Sequence, residues 1–212
     1  MFKFIFFVLF ALGLFFNSYA QINKNKWYLG KVWLKNGQFI EGKLKYNDEK
    51  EILQVKDGNK LKAFNASQVV QFNFFDRKEE KDRSFVSREY DLYDRGYPVP
   101  LFFERLAEGS SLTLLCRHET PAKMRGFADN SIQSYFAGEI EAMDIYYFQN
   151  QKNEIIRCGT YGSIFIKKEI KRVIAEIVGD KKDEMEEFFS KKPINVKRQQ
   201  DLIEFTRYYN SL

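Results

Sequence analysis

Trp27-Tyr28-Leu29-Gly30-Lys31-Val32-Trp33-Leu34-Lys35-Asn36-Gly37-Gln38-Phe39-Ile40-Glu41-Gly42-Lys43-Leu44-Lys45-Tyr46 is two alternating apolar and polar runs hinged at Asn36-Gly37. Period-two alternation marks half-buried strands, and an Asn-Gly dipeptide supplies the positive φ that a type I′ hairpin turn demands. A hairpin with strands at 27–35 and 38–46 follows. Working downstream, Asn47-Asp48-Glu49-Lys50 leads into a strand at 51–56, Asp57-Gly58 into its partner at 60–64, and 69–75 supplies a fifth strand. Asn65-Ala66-Ser67-Gln68 has the length of a single 3₁₀ turn.

The same pattern persists at lower density through the middle of the chain. A charged hinge at 76–82 precedes a strand at 83–90, and Gly96, Pro98 and Pro100 mark a loop. Residues 101–107 fit helix or strand, 110–118 alternate as a strand, and 142–149 with 154–158 form a second hairpin. Residues 119–141 have no regular period. After them the period changes: Ile166, Ile170, Val173, Ile174, Ile177 and Val178 recur at three- and four-residue steps and stop at Gly179. Asp180 is placed to cap a second helix carrying Met185, Phe188 and Phe189, and Asn195 a third carrying Leu202, Ile203, Thr206 and Tyr209. Helices this short need a surface to pack on, and the middle strands offer it.

The expected fold class is α+β, with a small antiparallel β-barrel or rolled sheet at 21–76, an antiparallel extension with an irregular loop at 77–162, and a helical segment at 163–212. Residues 1–20 read as a cleaved export signal. Lys3 provides a basic start, 4–16 an apolar run shorter than a membrane span, and Asn17-Ser18-Tyr19-Ala20 the small residues ahead of a mature start at Gln21. Cleavage between Ala20 and Gln21 commits about 190 residues to the periplasm or the exterior. No transmembrane segment is expected in the mature chain.

The hairpin stretch Val32-x-Leu34-x-Asn36-Gly37-x-x-Ile40-x-Gly42-x-Leu44-x-Tyr46 resembles the first signature of Sm-like and SH3-like small barrels. Residues 64–69 have neither the Arg nor the Gly that Sm-like RNA binders place there, so RNA recognition is not carried over. Leu34-Lys35-Asn36-Gly37 with Ser67-Gln68-Val69-Val70-Gln71-Phe72 is similar to an uncharacterised exported bacterial family of envelope barrels. That likeness implies no catalytic site.

Formal charge is +5 over 212 residues, and blocks such as Arg77-Lys78-Glu79-Glu80-Lys81-Asp82-Arg83 alternate in sign. Fields of that kind cancel locally, so nucleic acid is not an expected partner. Cys116 and Cys158 are the only cysteines. Either they form a disulfide closing a loop of about forty residues, contributing about 3–4 kcal/mol, or they are two buried thiols. Cys116 and His118 share one strand face. They suggest half of a metal site with Cys158, or a nucleophile beside its base, against the plainer reading of an exposed histidine at a strand end. Glu139, Glu141 and Asp144 are carboxylates that nothing in the sequence singles out. No phosphate loop, nucleophile elbow, zinc-protease or dinucleotide motif is present, and no cofactor or metal is required.

The expected function is therefore non-catalytic binding or scaffolding of an envelope protein or surface component, through the barrel rim or the irregular loop, where Arg117, Lys123 and Arg125 are the candidate contacts. A subunit of a surface assembly is a third class. The competing reading is a small exported hydrolase or thiol enzyme using Cys116 and His118.

Overall fold

A computed structural model describes residues 22–119, 143–158, 166–192, 194–195 and 198–212. Among these residues ten strands form one antiparallel sheet: β1 (Tyr28–Leu34), β2 (Phe39–Asn47), β3 (Ile52–Asp57), β4 (Lys60–Asn65), β5 (Val69–Asp76), β6 (Lys81–Tyr90), β7 (Val99–Ala107), β8 (Leu112–Glu119), β9 (Met143–Asn150) and β10 (Ile155–Cys158). Their order across the sheet is β10-β9-β8-β7-β6-β5-β1-β2-β3-β4. Three helices follow among the described residues, α1 (Ile166–Val178), α2 (Lys182–Lys191) and α3 (Gln199–Ser211), with a 3₁₀ turn at Gly179–Lys181 between the first two.

The first hairpin is present, with a different turn. Leu34 N donates to Gln38 O at 2.8 Å and Gly37 N to Leu34 O at 3.0 Å, closing a three-residue loop. Gly37, at φ 83°, is its left-handed residue, while Asn36 is not among the positive-φ positions. That is the pattern of a type I turn followed by a glycine bulge, so the loop begins one residue earlier than a type I′ reading allows. In the second hairpin the loop is Gly58-Asn59, because Asp57 pairs with Lys60.

The expected barrel at 21–76 is not formed. Closing it would require β4 to pair with β5, yet β5 is bonded on one side to β1 and on the other to β6, which leaves it no free edge. The charged residues at 77–80 are accordingly a hairpin loop, with Asp76 opposite Lys81, and the sheet runs straight past them. β4 remains an edge strand with Lys60, Leu61 and Lys62 exposed. Lysines on such an edge disfavour pairing with another chain.

The sheet nevertheless coils strongly. Tyr46 on β2 touches Phe85 on β6 and Phe102 on β7, with ring centroids 5.3 and 5.5 Å apart. Gly30 and Gly42 face each other in register on β1 and β2. A Cβ on Gly42 would lie 2.5 Å from the carbonyl oxygen of Lys56 on β3. Close approach of a neighbouring backbone is what requires glycine here. Gly42→Val should cost about 1–3 kcal/mol by overpacking, read as a lower urea midpoint with an unchanged m-value; an unaltered midpoint would show that β3 moves aside freely.

Three apolar clusters stabilise the sheet. One, including Val32, Leu44, Leu53, Phe72, Phe85 and Phe102, fills the concave side of the first strands. Another sits under the helices: Leu112, Leu114, Tyr146 and Phe148 from the sheet meet Val173, Ile174, Met185, Leu202 and Phe205. The third, around Phe103, Leu115 and Tyr147, lies on the opposite face.

The helices thus cover the middle strands, as their length demands. Their caps differ from expectation: Lys181 and Arg198 occupy the N-cap positions of α2 and α3, without side-chain capping bonds. Asp201 instead reaches back, accepting from Asn195 N at 2.8 Å. At the other end of α3, Asn210 Oδ1 accepts from the N–H groups of Ser111 and Leu112, and its Nδ2 donates to the Leu112 carbonyl at 2.7 Å. One side chain therefore fixes the last helix to the start of β8.

Candidate functional site

β6, β7, β8 and β9 bring four ionisable side chains together inside the sheet's concave face. Phe85, Glu104, Cys116, Tyr146 and Cys158 occupy one row across β6 to β10. His118 follows Cys116 on the same face of β8 and lies directly opposite Asp144 on β9. Arg83 enters from β6, two residues before Phe85.

Arg83 donates from Nε to Glu104 Oε1 at 2.8 Å and from Nη2 to Glu104 Oε2, a bidentate pair. Glu104 Oε2 also lies 3.3 Å from His118 Nε2. The other ring nitrogen, Nδ1, bonds Asp144 Oδ1. Side-chain exposure is 1% for Arg83, 5% for Glu104, 9% for His118 and 14% for Asp144. Burial alone would discharge such groups, so their mutual contacts decide their state.

Burial pushes His118 toward the neutral form, but hydrogen bonds and charge from Asp144 and Glu104 override it and raise the imidazole to about 9. Burial likewise opposes ionisation of Glu104, and His118 and Arg83 outweigh it, holding the carboxyl at about 2. Burial also works against the Arg83 charge, and Glu104 reverses the effect, so the guanidinium is raised. Arg83 and His118 are then both cations, and the Glu104 carboxylate between them contacts each. Arg83 Nη2 is 3.0 Å from His118 Nε2, a close approach of two donors that is tolerable because Glu104 Oε2 accepts from both.

Cys116, in the same row, is 1% exposed. Burial raises its thiol well above the ordinary range, and the carboxylates of Asp144 and Glu104 raise it further. A thiol so placed stays protonated and out of solvent's reach, the opposite of what a nucleophilic cysteine needs. The third group that would orient the imidazole, invisible in the sequence, is Asp144; it does not make a reactive cysteine.

Cys158 is also a buried free thiol. Tyr146 on β9 stands between it and Cys116, so the two cysteines are two strand spacings apart, about 10 Å. A disulfide cannot span that distance. The buried-thiol alternative is the one realised. Nor is His118 the exposed strand-end residue of the plainer reading.

Of the loop candidates, Arg117 lies on β8 itself, 3% exposed, bonded to Glu51 at 2.8 Å and to the Phe102 carbonyl at 2.8 Å, with its guanidinium over the Phe103 ring. It ties the turn after β2 to β7 and β8, so it is an anchor and not a loop contact. Lys123, Arg125, Glu139, Glu141, Ala20 and Gln21 lie outside the described residues.

Arg117 also floors a surface cleft of about 390 Å³ lined by Glu51, Asp91, Tyr93, Arg95, Tyr97 and Val99, with Leu92 and Leu101 beneath. The loop between β6 and β7 forms its wall. Asp91 Oδ1 accepts from Tyr93 N at 3.3 Å, and Oδ2 from Gly96 N and from Tyr97 N at 3.1 Å. Burial works upward on Asp91, while the N–H groups of Arg95, Gly96, Tyr93 and Tyr97 together outweigh it and hold its carboxyl below the usual range.

Comparison with protein-family models, curated proteins and solved structures finds no match. Among the described residues no helix is long and apolar enough to cross a membrane.

Proposed function

We propose that this chain is an exported, non-catalytic protein that binds another protein of the cell envelope through the cleft beside the β6–β7 loop. Export rests on the composition of residues 1–20. The binding reading is carried by one observation: Tyr97 and Tyr93 are 79% and 43% exposed around the cleft, on a loop pinned from inside by Asp91, and Val99 at the start of β7 beside them is 48% exposed. Large side chains displayed on a pre-ordered loop lose little entropy when they are covered. Tyrosine and arginine are also the side chains that dominate protein interfaces, and Arg95 already stands over the Tyr93 ring, 5.1 Å from its centroid.

The residues that resemble a catalytic set lend support by their position. Cys116 and His118 are closed in by the sheet, whereas the aromatic residues around the cleft are open to solvent. A thiol enzyme would need the reverse.

The test is site-specific photocrosslinking from position 97 in intact cells, followed by purification of the tagged chain from the envelope fraction. A discrete heterologous adduct whose yield falls at least tenfold in a Tyr93→Ala background supports the reading. An adduct to a second copy of this chain, or equal yield from a probe at Leu61 on the β4 edge, would overturn it. A product found wholly in the cytosol with its amino terminus intact would overturn the export half.

A further inference from the structure

Cys116 Sγ, a ring nitrogen of His118 and a carboxylate oxygen of Asp144 lie within 4.8 Å of one another. We propose that these three side chains form a structural binding site for a zinc-like divalent cation, with Glu104 and Arg83 as its supporting shell. The ligand chemistry is thiolate, imidazole and carboxylate, a set suited to Zn²⁺. His118 Nδ1 is the ligand atom, because it already points at Asp144 and the cation would take the place of the proton they share.

The second observation is what stands behind the ring. A metal-bound histidine characteristically gives its other N–H to a carboxylate, which fixes the ring and raises its basicity. Nε2 of His118 faces Glu104 Oε2 at 3.3 Å, and Glu104 is in turn clamped by Arg83 through two bonds. The full outer arrangement of a metal histidine is thus built into strands β6 and β7, which supply none of the three ligands.

Charge and space agree with the assignment. A divalent cation with one thiolate, one carboxylate and a neutral imidazole has no net charge, and Glu104 remains matched by Arg83, so no uncompensated charge is buried. A coordinated thiol gives up its proton to the bond, which resolves the presence of a cysteine that burial otherwise keeps inert. Beside Glu104, Cys116 and His118 a cavity of about 10 Å³ remains. It is of the order a single water needs and is lined by two of the three ligands, so a water held there would supply the fourth ligand of a tetrahedral cation. With Cys116 and His118 this enclosed, the centre braces β8 against β9.

Cobalt(II) titration of the purified, reduced protein reports the site directly. The expected result is one equivalent bound with a sulfur-to-cobalt charge-transfer band and the intense visible bands of four-coordination, both displaced by zinc. Cys116→Ser should abolish the charge-transfer band, Cys158→Ser should leave it intact, and Glu104→Gln should keep it while weakening affinity about 10- to 100-fold. Folded unsubstituted protein that takes up no cobalt, or takes it up without the sulfur band, overturns the proposal without recourse to any variant. Loss of the band in Cys158→Ser would overturn the ligand assignment.

Discussion

Glu104→Leu should destabilise the protein by about 3–5 kcal/mol, because removing one partner of a buried ion pair leaves the other charge uncompensated. Arg83 keeps its 1% exposure in such a variant while losing the carboxylate that accepts from both its Nε and its Nη2. His118 loses the acceptor at Nε2 at the same time. The loss of stability is read in urea unfolding as a lowered midpoint. Arg83→Met combined with Glu104→Leu should recover a large part of it, since replacing both ions by apolar groups of similar volume removes the desolvation penalty with the attraction. A double-mutant cycle on this pair is expected to be strongly non-additive. Additive effects, or a cost below about 1 kcal/mol for Glu104→Leu, would show that the pair does not act as a buried unit.

The same pair shows where sequence reasoning stopped. The five strands of the first 76 residues were legible to within about two residues, because turn chemistry and period-two alternation are local. The helices were legible from their three- and four-residue spacing. What could not be read was which strands lie side by side beyond the hairpin partners. β5 is followed in sequence by charged residues that look like a linker, and only the Asp76–Lys81 register shows that the sheet continues and the barrel cannot close. A local pattern specifies a strand and leaves its second neighbour open.

The cluster was half visible for the same reason. Cys116 and His118 share a face by simple alternation, but the partner of His118 comes from β9, across a stretch with no regular period, so Asp144 stood among carboxylates with nothing to mark it. Arg83 and Glu104 did carry a local signal. Arg83 is in phase with Phe85, and Glu104 with Phe102, so each places a charge on the apolar side of its strand. Two opposite charges in phase with the apolar residues of neighbouring strands are the mark of a buried pair. Asn210 left a different kind of trace: its contact with Ser111 and Leu112 joins segments about a hundred residues apart, which no period within either segment encodes.

In the metal-free protein, the cluster should also set a pH window for stability. His118 is raised from 6.5 to about 9 in the folded chain. A raised pKa means that the folded state holds the proton more tightly, so this contribution is complete below about pH 6.5 and is lost as pH rises through about 9. Glu104 is lowered from 4.5 to about 2, so its contribution is complete above about pH 4.5 and is lost as pH falls through about 2. Stability from the cluster is therefore greatest between roughly pH 4.5 and 6.5. The alkaline arm is worth on the order of 3 kcal/mol, and both arms belong to one network, since His118 and Glu104 share a contact. Urea midpoints measured with chelator present should fall between pH 6.5 and 10 in the parent protein, and His118→Gln should be less stable at pH 6 but flat over that range. Asp144→Asn removes the partner at Nδ1 and should bring the fall to lower pH. Saturating zinc should flatten the alkaline arm of the unsubstituted protein, because a coordinated imidazole has no proton left to lose at that nitrogen. A parent profile as flat as that of His118→Gln would mean that the ring is neutral in the fold, and that Arg83, not Glu104, is its partner at Nε2.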